Sequence, residues 1–246
     1  MKPSEAYRQF NNGEINGTGL MRCVLEYDDF VIPGRPGHAP MDAYFGNEKE
    51  KAFHLFEDSG HFEIWERNWE GGALTVGPFS GCNVVPQLAA DLDFLTINPD
   101  SADVFHYRSH QLADMKKMAA SIALEKALHD PAKADRLFGI LKNYDQYQML
   151  FRSGGDGAMQ LIMAPDDQGR KLIPIFTAED CFQVWLDQML PNIQKEAQVP
   201  YVLTRKGRDL FAELAGYSTD GIVFNPVGYS RARAFAMPIC SLVAKH

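Results

Sequence analysis

The stretch KLIPIFTAEDCFQVW, residues 171–185, predicts a buried strand, a tight turn and the beginning of a helix. Its first six residues contain the short apolar run that is typical of a strand covered on both faces. Phe182, Trp185 and Met189 then recur at three- and four-residue spacing, which predicts the core side of a helix. The stretch therefore predicts one strand and one helix joined by a short connection.

The turn between this strand and this helix contains a candidate helix cap. Thr177 can accept a hydrogen bond from the first helical turn, and Asp180, three residues later, completes a pair that resembles a capping box. The sequence therefore predicts that Thr177 ends the strand and caps the helix.

The chain contains this pattern twice, with an offset of 120 residues at the strand and the helix. In the first copy, Leu55 and Phe56 stand at the positions of Ile175 and Phe176. A period of this length indicates the duplication of a whole domain, since solenoid repeats are much shorter. Further matched positions, with the first copy named first, are Phe62 and Phe182, Trp65 and Trp185, Trp69 and Met189, Tyr27 and Tyr144, and Asn98 and Asn225.

The duplication predicts two domains of ordinary size, each able to bury a core. We predict a first, divergent domain over residues 1–109, a helical linker over residues 110–136, and a second domain with a C-terminal tail over residues 137–246. Each strand–helix–strand passage is long enough for a crossover connection, which favours an α/β or α+β fold with helices packed on a mixed sheet. The tail, residues 229–243, has no evident counterpart in the first copy.

The composition is that of a globular protein, with 46% hydrophobic and 23% charged residues. A formal net charge of −8 argues against nucleic acid or an anionic membrane as a partner and is compatible with a basic protein partner. No apolar run is long enough to span a bilayer, and the N-terminus lacks the apolar region of a signal peptide. The four cysteines form no close pair, so we expect buried thiols and a cytoplasmic location.

Two short motifs of the second copy point to a known family. Residues 172–177, LIPIFT, and residues 220–226, DGIVFNP, flank an acidic helix start with a Trp, and in this order they resemble the N-terminal domain of the SseB family. The first copy is a divergent version, in which Glu57 replaces Thr177 and the preceding Pro is missing. The resemblance implies a cytosolic module without established catalytic residues or a cofactor. Related single domains beside secretion and toxin systems imply contacts between proteins.

Other motifs in the chain give little support for catalysis. The sequence lacks the phosphate-binding, dinucleotide-binding, zinc-protease and serine-hydrolase patterns. The glycine-rich residues 154–157 are more typical of a hairpin turn than of a phosphate cradle, because no Lys-Ser/Thr helix start follows. Asp103, His106 and His110 could share a metal on a helix, but their segment follows Asn-Pro and is not convincingly helical. We therefore predict no metal and no cofactor.

The strand-to-helix turn of the first copy is the strongest candidate for a protein-binding site. Glu57, Asp58 and His61 cluster there, and Trp69 and Glu70 stand at the predicted end of the helix. Carboxylates in a first helical turn are also favoured by the helix dipole, and a Trp at periodic spacing is more often part of a core. We predict a binding site from these five residues, because a rigid aromatic beside carboxylates suits a basic partner.

These observations predict a protein that binds another protein through an exposed surface of one copy and has no enzymatic activity. A secretion-associated adaptor and a toxin-neutralising, immunity-type protein both fit a small acidic chain without a cofactor. The alternative is a hydrolase with a carboxylate-lined cleft between the two modules. An enzyme would have convergent titratable groups in a concave pocket, whereas a binding module would have an apolar patch with a polar rim.

Overall fold

The computed structural model describes residues 1–34, 45, 50–69, 74–153, 159–165, 168–193, 201–214, 216–226 and 235–237 of the 246-residue chain. The chain divides into two compact units, Met1–Ile122 and Ala123–His246. The division falls within the stretch predicted as a linker. Both units combine helices with mixed sheets, which confirms the α+β class.

The first unit begins with two helices and then alternates strands with short helices. The helices are α1 (Pro3–Asn11), α2 (Gly17–Glu26), α3 (Ser59–Glu66) and α4 (Gly81–Val84), which continues into a 3-10 turn, Val85–Gln87. The strands are β1 (Phe30–Gly34), β2 (Ala52–Leu55), β3 (Leu74–Phe79), β4 (Phe94–Ile97) and β5 (Phe105–Arg108). Helix α5 (Ser109–Leu128) follows, where the sequence predicts a helix by its spacing of Leu and Met residues.

The second unit repeats this alternation. After a 3-10 segment, Pro131–Arg136, its helices are α6 (Leu137–Asn143), α7 (Glu179–Ile193) and α8 (Gly207–Leu214). Its strands are β6 (Tyr147–Ser153), β7 (Met159–Leu161), β8 (Ala164–Pro165), β9 (Lys171–Phe176), β10 (Tyr201–Arg205), β11 (Gly221–Phe224) and β12 (Phe235–Met237). The predicted hairpin turn at residues 154–157 lies outside the described residues.

The strands of the two units follow the same order. In the second unit the order is β10-β6-β9-β11-β12, with β9 and β11 parallel and the other neighbours antiparallel. In the first unit β3 pairs with β1, and β2-β4-β5 form a sheet in which β2 and β4 are parallel. A bridge between Val31 and Phe56 joins β1 to the end of β2. The predicted internal repeat is therefore present in the structure.

The C-terminal tail does have a counterpart in the first unit, so the prediction of an unmatched tail is wrong for residues 235–237. Strand β12 pairs antiparallel with β11, as β5 pairs antiparallel with β4. This match is not visible in the sequence, because an edge strand is held by backbone hydrogen bonds and needs no distinctive pattern of side chains. The rest of the tail lies outside the described residues.

Alternate side chains of the central strand in each unit pack into two separate clusters, as the two-residue period of a strand requires. In the first unit Phe53 and Leu55 join the larger core with α2 and α5, whereas Phe56 packs with Phe62 and Trp65 of α3. In the second unit Phe176 packs in the same way with Phe182 and Trp185 of α7. The ring centroids of Phe56 and Trp65 are 5.5 Å apart, and those of Phe176 and Trp185 are 5.4 Å apart.

One histidine is part of the aromatic cluster of the first unit. The His54 ring stacks on Phe45, with 5.1 Å between ring centroids, and meets Trp65 edge-on at 5.6 Å. Its Nδ1 is buried and has no hydrogen-bond partner in the described part of the chain. Burial, together with the nearby His106, lowers the pKa of His54 to about 4. His54 is therefore neutral in the folded protein at neutral pH.

This histidine should make the first unit sensitive to mild acid. In the unfolded chain, His54 has an ordinary pKa of about 6.5 and binds a proton more readily than in the folded unit. Above that pH the histidine is neutral in both states, so it does not reduce the stability of the first unit there. This stability should fall by about 3 kcal/mol as the pH decreases from about 6.5 to about 4, and this group should cause no further loss below that range. Denaturant unfolding as a function of pH, with His54→Phe as the comparison, measures the effect. Parallel losses in the two proteins over this range would show that another group is responsible.

Candidate functional site

The backbone of the strand-to-helix turn in the first unit is held by hydrogen bonds on both sides. The N–H of Glu57 donates to Asn98 Oδ1 at 2.9 Å, and its carbonyl accepts from the hydroxyl of Tyr27 at 2.6 Å. Asn98 has a φ of +49°, in the left-handed region that Asn tolerates better than most residues. The turn between β2 and α3 is therefore fixed by residues that are distant in sequence.

The side chain of Glu57 does not belong to the surface, which corrects the prediction of an exposed binding carboxylate. It is 3% exposed, and its two oxygens accept from the N–H of Ser4 at 2.9 Å and from Ser4 Oγ at 2.8 Å. Ser4 lies in the first turn of α1, where unpaired N–H groups and the helix dipole favour an anion. Glu57 thus attaches α1 to the turn, and a partner protein has no access to it.

The second unit contains the same buried pair with the two residue types exchanged. Glu125 Oε1 accepts from Thr177 Oγ1 at 2.9 Å, where Thr177 stands at the position of Glu57. Asn225 repeats the role of Asn98, since its Oδ1 accepts from the N–H of Thr177 at 3.0 Å. In the first unit the carboxylate of this pair lies at the turn, on Glu57, and in the second unit it lies on the other partner, Glu125. Each unit thus has one carboxylate in the pair, and Glu57 is not an additional charge of the first unit.

This arrangement also corrects the predicted helix cap. Thr177 is 1% exposed and its hydroxyl points to Glu125, while α7 begins two residues later at Glu179. In a capping box the side chain of Asp180 would accept from the N–H of Thr177, but that N–H donates to Asn225 Oδ1, and the side chain of Asp180 accepts from the N–H of Cys181 at 3.0 Å. Local sequence predicted a cap because the buried partner of Thr177 lies 52 residues away.

Asp58 and His61 form a second polar network, which reaches the surface. Asp58 is the N-cap of α3: its Oδ1 accepts from the N–H of His61 at 3.1 Å and lies 2.7 Å from His61 Nδ1. Its other oxygen accepts from Lys2 Nζ at 2.8 Å. The side chain of Asp58 is 39% exposed and that of Lys2 is 54% exposed, so solvent reaches this ion pair.

The ionisation of these residues follows from the contacts. Burial opposes the charge on Asp58, but the hydrogen bonds from Lys2 and His61 outweigh it and hold the pKa of that carboxyl well below its usual range. The same hydrogen bond to Asp58 raises the pKa of Lys2. Asp58 and Lys2 are therefore both charged over the whole physiological range.

Three of the described residues that could hold a metal ion together lie in the same place. Each of Glu57, Asp58 and His61 has a potential ligand atom within 4.8 Å of those of the other two. Lys2 Nζ already lies 2.8 Å from Asp58 and 4.0 Å from Glu57 Oε1, so a divalent ion would have to displace this ammonium group. The geometry is better explained as an ion-paired hydrogen-bond network.

The other metal candidates in the sequence do not converge. His106 lies on β5, where its Nδ1 is 3.0 Å from the hydroxyl of Thr96 on the neighbouring strand. His110 belongs to the first turn of α5, and Asp103 lies in the loop before β5. The segment before α5 is thus strand and loop, as the sequence suggested.

Trp69 is half-buried, and it contributes to the aromatic cluster of α3. Its ring stacks on Trp65 with 5.4 Å between centroids and meets Phe45 edge-on at 5.2 Å. Part of the Trp69 side chain is thus buried inside the unit, so only its remaining exposed surface is available to a partner protein. Glu70, the fifth predicted site residue, lies outside the described residues.

The outer side of α3 presents residues that the sequence analysis overlooked. Ile64 is 42% exposed, and Glu63 and Arg67 beside it are also exposed. The helical period could have identified them, because Phe62 and Trp65 face the core and place Ile64 on the opposite side. We define the α3 surface as Asp58, Glu63, Ile64 and Arg67. An exposed aliphatic side chain among charges can make a protein contact but has no evident chemistry.

Comparisons with known proteins leave the chain unassigned. No family model matches it, and no curated protein matches it. A solved structure of Anabaena Tic22, described as a protein of protein transport, aligns with 12% identity over 88% of this chain and 96% of that chain, with a TM-score of 0.25. A likeness of this degree supports no argument about fold or function. No helix among the described residues is long and apolar enough to cross a membrane.

Proposed function

We propose that this chain is a non-enzymatic protein-binding module whose first unit binds a basic partner. The division of charge between the units carries the proposal. Residues 1–122 contain 10 Lys and Arg against 18 Asp and Glu, whereas residues 123–246 contain 14 of each. The whole formal charge of −8 therefore belongs to the first unit. A charge of this size steers an oppositely charged protein during encounter.

Within the first unit, the α3 surface is the best place for the contact. Ile64 offers apolar area, and Glu63, its exposed neighbour in the helix, supplies negative charge. The matching positions of α7 in the second unit are Gln183 and the half-buried Val184, which offer neither the charge nor the same apolar area. This contrast favours the first unit, and it leaves the second unit as a control.

The resemblance to the SseB family supports a role in protein contacts and suggests no catalytic residues. A cytoplasmic adaptor associated with secretion and an immunity-type protein that neutralises a basic toxin are both forms of this function. In each form the acidic unit would recognise positive charge on a folded partner, and Ile64 would be covered in the complex.

The proposal predicts which substitutions weaken binding. The partner is first captured from the native cell with the full-length chain and identified, and then titrated. Glu63→Lys and Ile64→Ala should each raise the Kd about tenfold, which corresponds to about 1.4 kcal/mol per substitution. Binding should also weaken as salt screens the charge. Glu57→Lys is unsuitable here, because it would disrupt the buried contact with Ser4.

The matched control is Gln183→Lys, which introduces the same charge at the corresponding exposed position of the second unit. It should leave the Kd within a factor of two, and all three variants should keep the parent's unfolding midpoint. If Gln183→Lys weakens binding as much as Glu63→Lys, or if Glu63→Lys has no effect, the first unit does not carry the contact.

A further inference from the structure

The outermost strand of the second unit, β10, is regular and exposes apolar side chains. All five of its residues pair antiparallel with β6, from Tyr201 opposite Phe151 to Arg205 opposite Tyr147. Tyr201 is 52% exposed and Val202 is 44% exposed, and in a strand these two neighbours point to opposite faces. The edge of this sheet therefore has exposed apolar surface on both faces.

The hydrogen bonds of β6 reveal which backbone groups of β10 face outward. The carbonyl of Leu150 accepts from the N–H of Ile162 at 3.0 Å, on the side of β6 away from β10. Leu150 and its partner Val202 are consequently a pair that exchanges no hydrogen bonds, and Val202 directs its N–H and C=O to the open edge. By alternation Thr204 does the same. Among the described residues, no strand pairs with this outer side.

The equivalent edge in the first unit has features that hinder pairing with another strand. Strand β3 contains Pro78, which has no N–H to donate, and its pairing with β1 is irregular between Phe30 and Ile32. Proline and irregular pairing are ways in which proteins prevent edge strands from pairing with other chains. Strand β10 contains no proline, and its pairing with β6 has no shift in register. Of these two edges, the β10 edge is therefore the one that suits a further strand.

We propose that β10 pairs antiparallel with β10 of a second copy of this chain and forms a two-fold symmetric dimer. If the axis passes beside Leu203, Val202 of each copy lies opposite Thr204 of the other. These are the residues whose backbone groups face outward, so each such pair exchanges two hydrogen bonds. Tyr201 then lies opposite Arg205, which allows a cation–π contact across the interface. The strand is therefore complementary to itself.

The charge of the two units favours this choice of occupant. Residues 123–246 carry no net formal charge, so two copies can approach through β10 without net repulsion from the second units. The first units, at −8 each, would repel one another if their own edges met. A second copy also explains why each face of β10 has an exposed apolar side chain, because the paired strands bring Tyr201 and Val202 of each copy against the other copy.

Sedimentation of the full-length chain over a range of concentrations tests the proposal. We expect a monomer–dimer equilibrium, with a dimer Kd that rises at least tenfold in Val202→Pro. This substitution removes an outward N–H and leaves the pairing with β6 intact, so the unfolding midpoint should stay unchanged at a concentration where both chains are monomeric. Val202→Thr is the control: it keeps the N–H and the branched Cβ, and its dimer Kd should stay within about threefold of the parent.

Amide hydrogen exchange provides a second readout that needs no variant. The N–H groups of Val202 and Thr204 should exchange slowly at concentrations where the dimer forms and quickly when the protein is dilute. A chain that stays monomeric would overturn the proposal and leave the β10 edge to an extended segment of another protein. A dimer that Val202→Pro does not weaken, or amides whose exchange is independent of concentration, would also overturn it. None of these results bears on whether the α3 surface binds a basic partner.

Discussion

Gly207→Ala should destabilise the second unit by about 3 kcal/mol or more, because there is no space for a methyl group at this position. A Cβ on Gly207 would lie 2.2 Å from the carbonyl oxygen of Leu141 and 3.0 Å from that of Lys142. These are backbone atoms of α6, so relief requires α6 and α8 to separate. Separation would also break the hydrogen bond from the N–H of Gly207 to the carbonyl of Tyr144, which is 2.7 Å long.

The first unit offers the same experiment at its equivalent position. A Cβ on Gly81 would lie 2.2 Å from the carbonyl oxygen of Val24, and the N–H of Gly81 donates to Tyr27 at 2.9 Å. Gly81→Ala should therefore have an effect of similar size, which denaturant unfolding would measure. Gly139→Ala is the matched control, since it lies in α6 with no atom within 4 Å of a new Cβ. This control should stabilise the chain by up to about 1 kcal/mol.

If Gly81→Ala or Gly207→Ala changes the free energy of unfolding by no more than Gly139→Ala does, the helix backbones do not lie as close together at these glycines as described. The comparison isolates the steric effect, because the three substitutions change backbone entropy in the unfolded chain by similar amounts. It also tests the repeat, since both units would have to respond alike.

Trp185→Ala should cost about 3–5 kcal/mol, as other large-to-small changes in protein cores do. Trp185 is 3% exposed and packs with Phe176 and Phe182 between α7 and the sheet. Removal of the indole would leave a cavity that this small cluster cannot close without moving α7. Equilibrium unfolding in denaturant, followed by circular dichroism, gives the free energy of unfolding.

Gln183→Ala provides the comparison for this prediction, because Gln183 lies on the exposed side of the same helix. Its effect should stay within about 0.5 kcal/mol. A loss below about 1 kcal/mol for Trp185→Ala would mean that α7 presents its other side to the sheet.

The sequence was sufficient to predict most of the fold because the relevant patterns are local. Alternating and helical apolar spacings depend on a few neighbouring residues, so the strand that ends at Phe176 and the helix that contains Trp185 were both predicted correctly. The repeat was visible because both copies must bury the same aromatic cluster. Strand β12 was missed, since short edge strands have no such pattern.

The candidate site was only partly predictable. Asp58 was correctly placed at the turn, because a helix N-cap is a local feature. Glu57 was wrongly placed at the surface, because its burial depends on Ser4, which lies 53 residues away in sequence. Ile64 was overlooked, although the helical period places it opposite Trp65. The role of a carboxylate in this turn thus depends on which helix packs over it.

By itself, the sequence determined that this protein has two copies of one α+β pattern, because apolar periodicity and repeated motifs are properties of short stretches of chain. Only the tertiary structure decided which of the polar residues at each turn are buried. Glu57 and Thr177 occupy equivalent positions, yet each is buried by a different partner, Ser4 in one unit and Glu125 in the other. A buried charge or hydroxyl requires a hydrogen-bonding partner, and that partner is brought into place only when distant segments pack together.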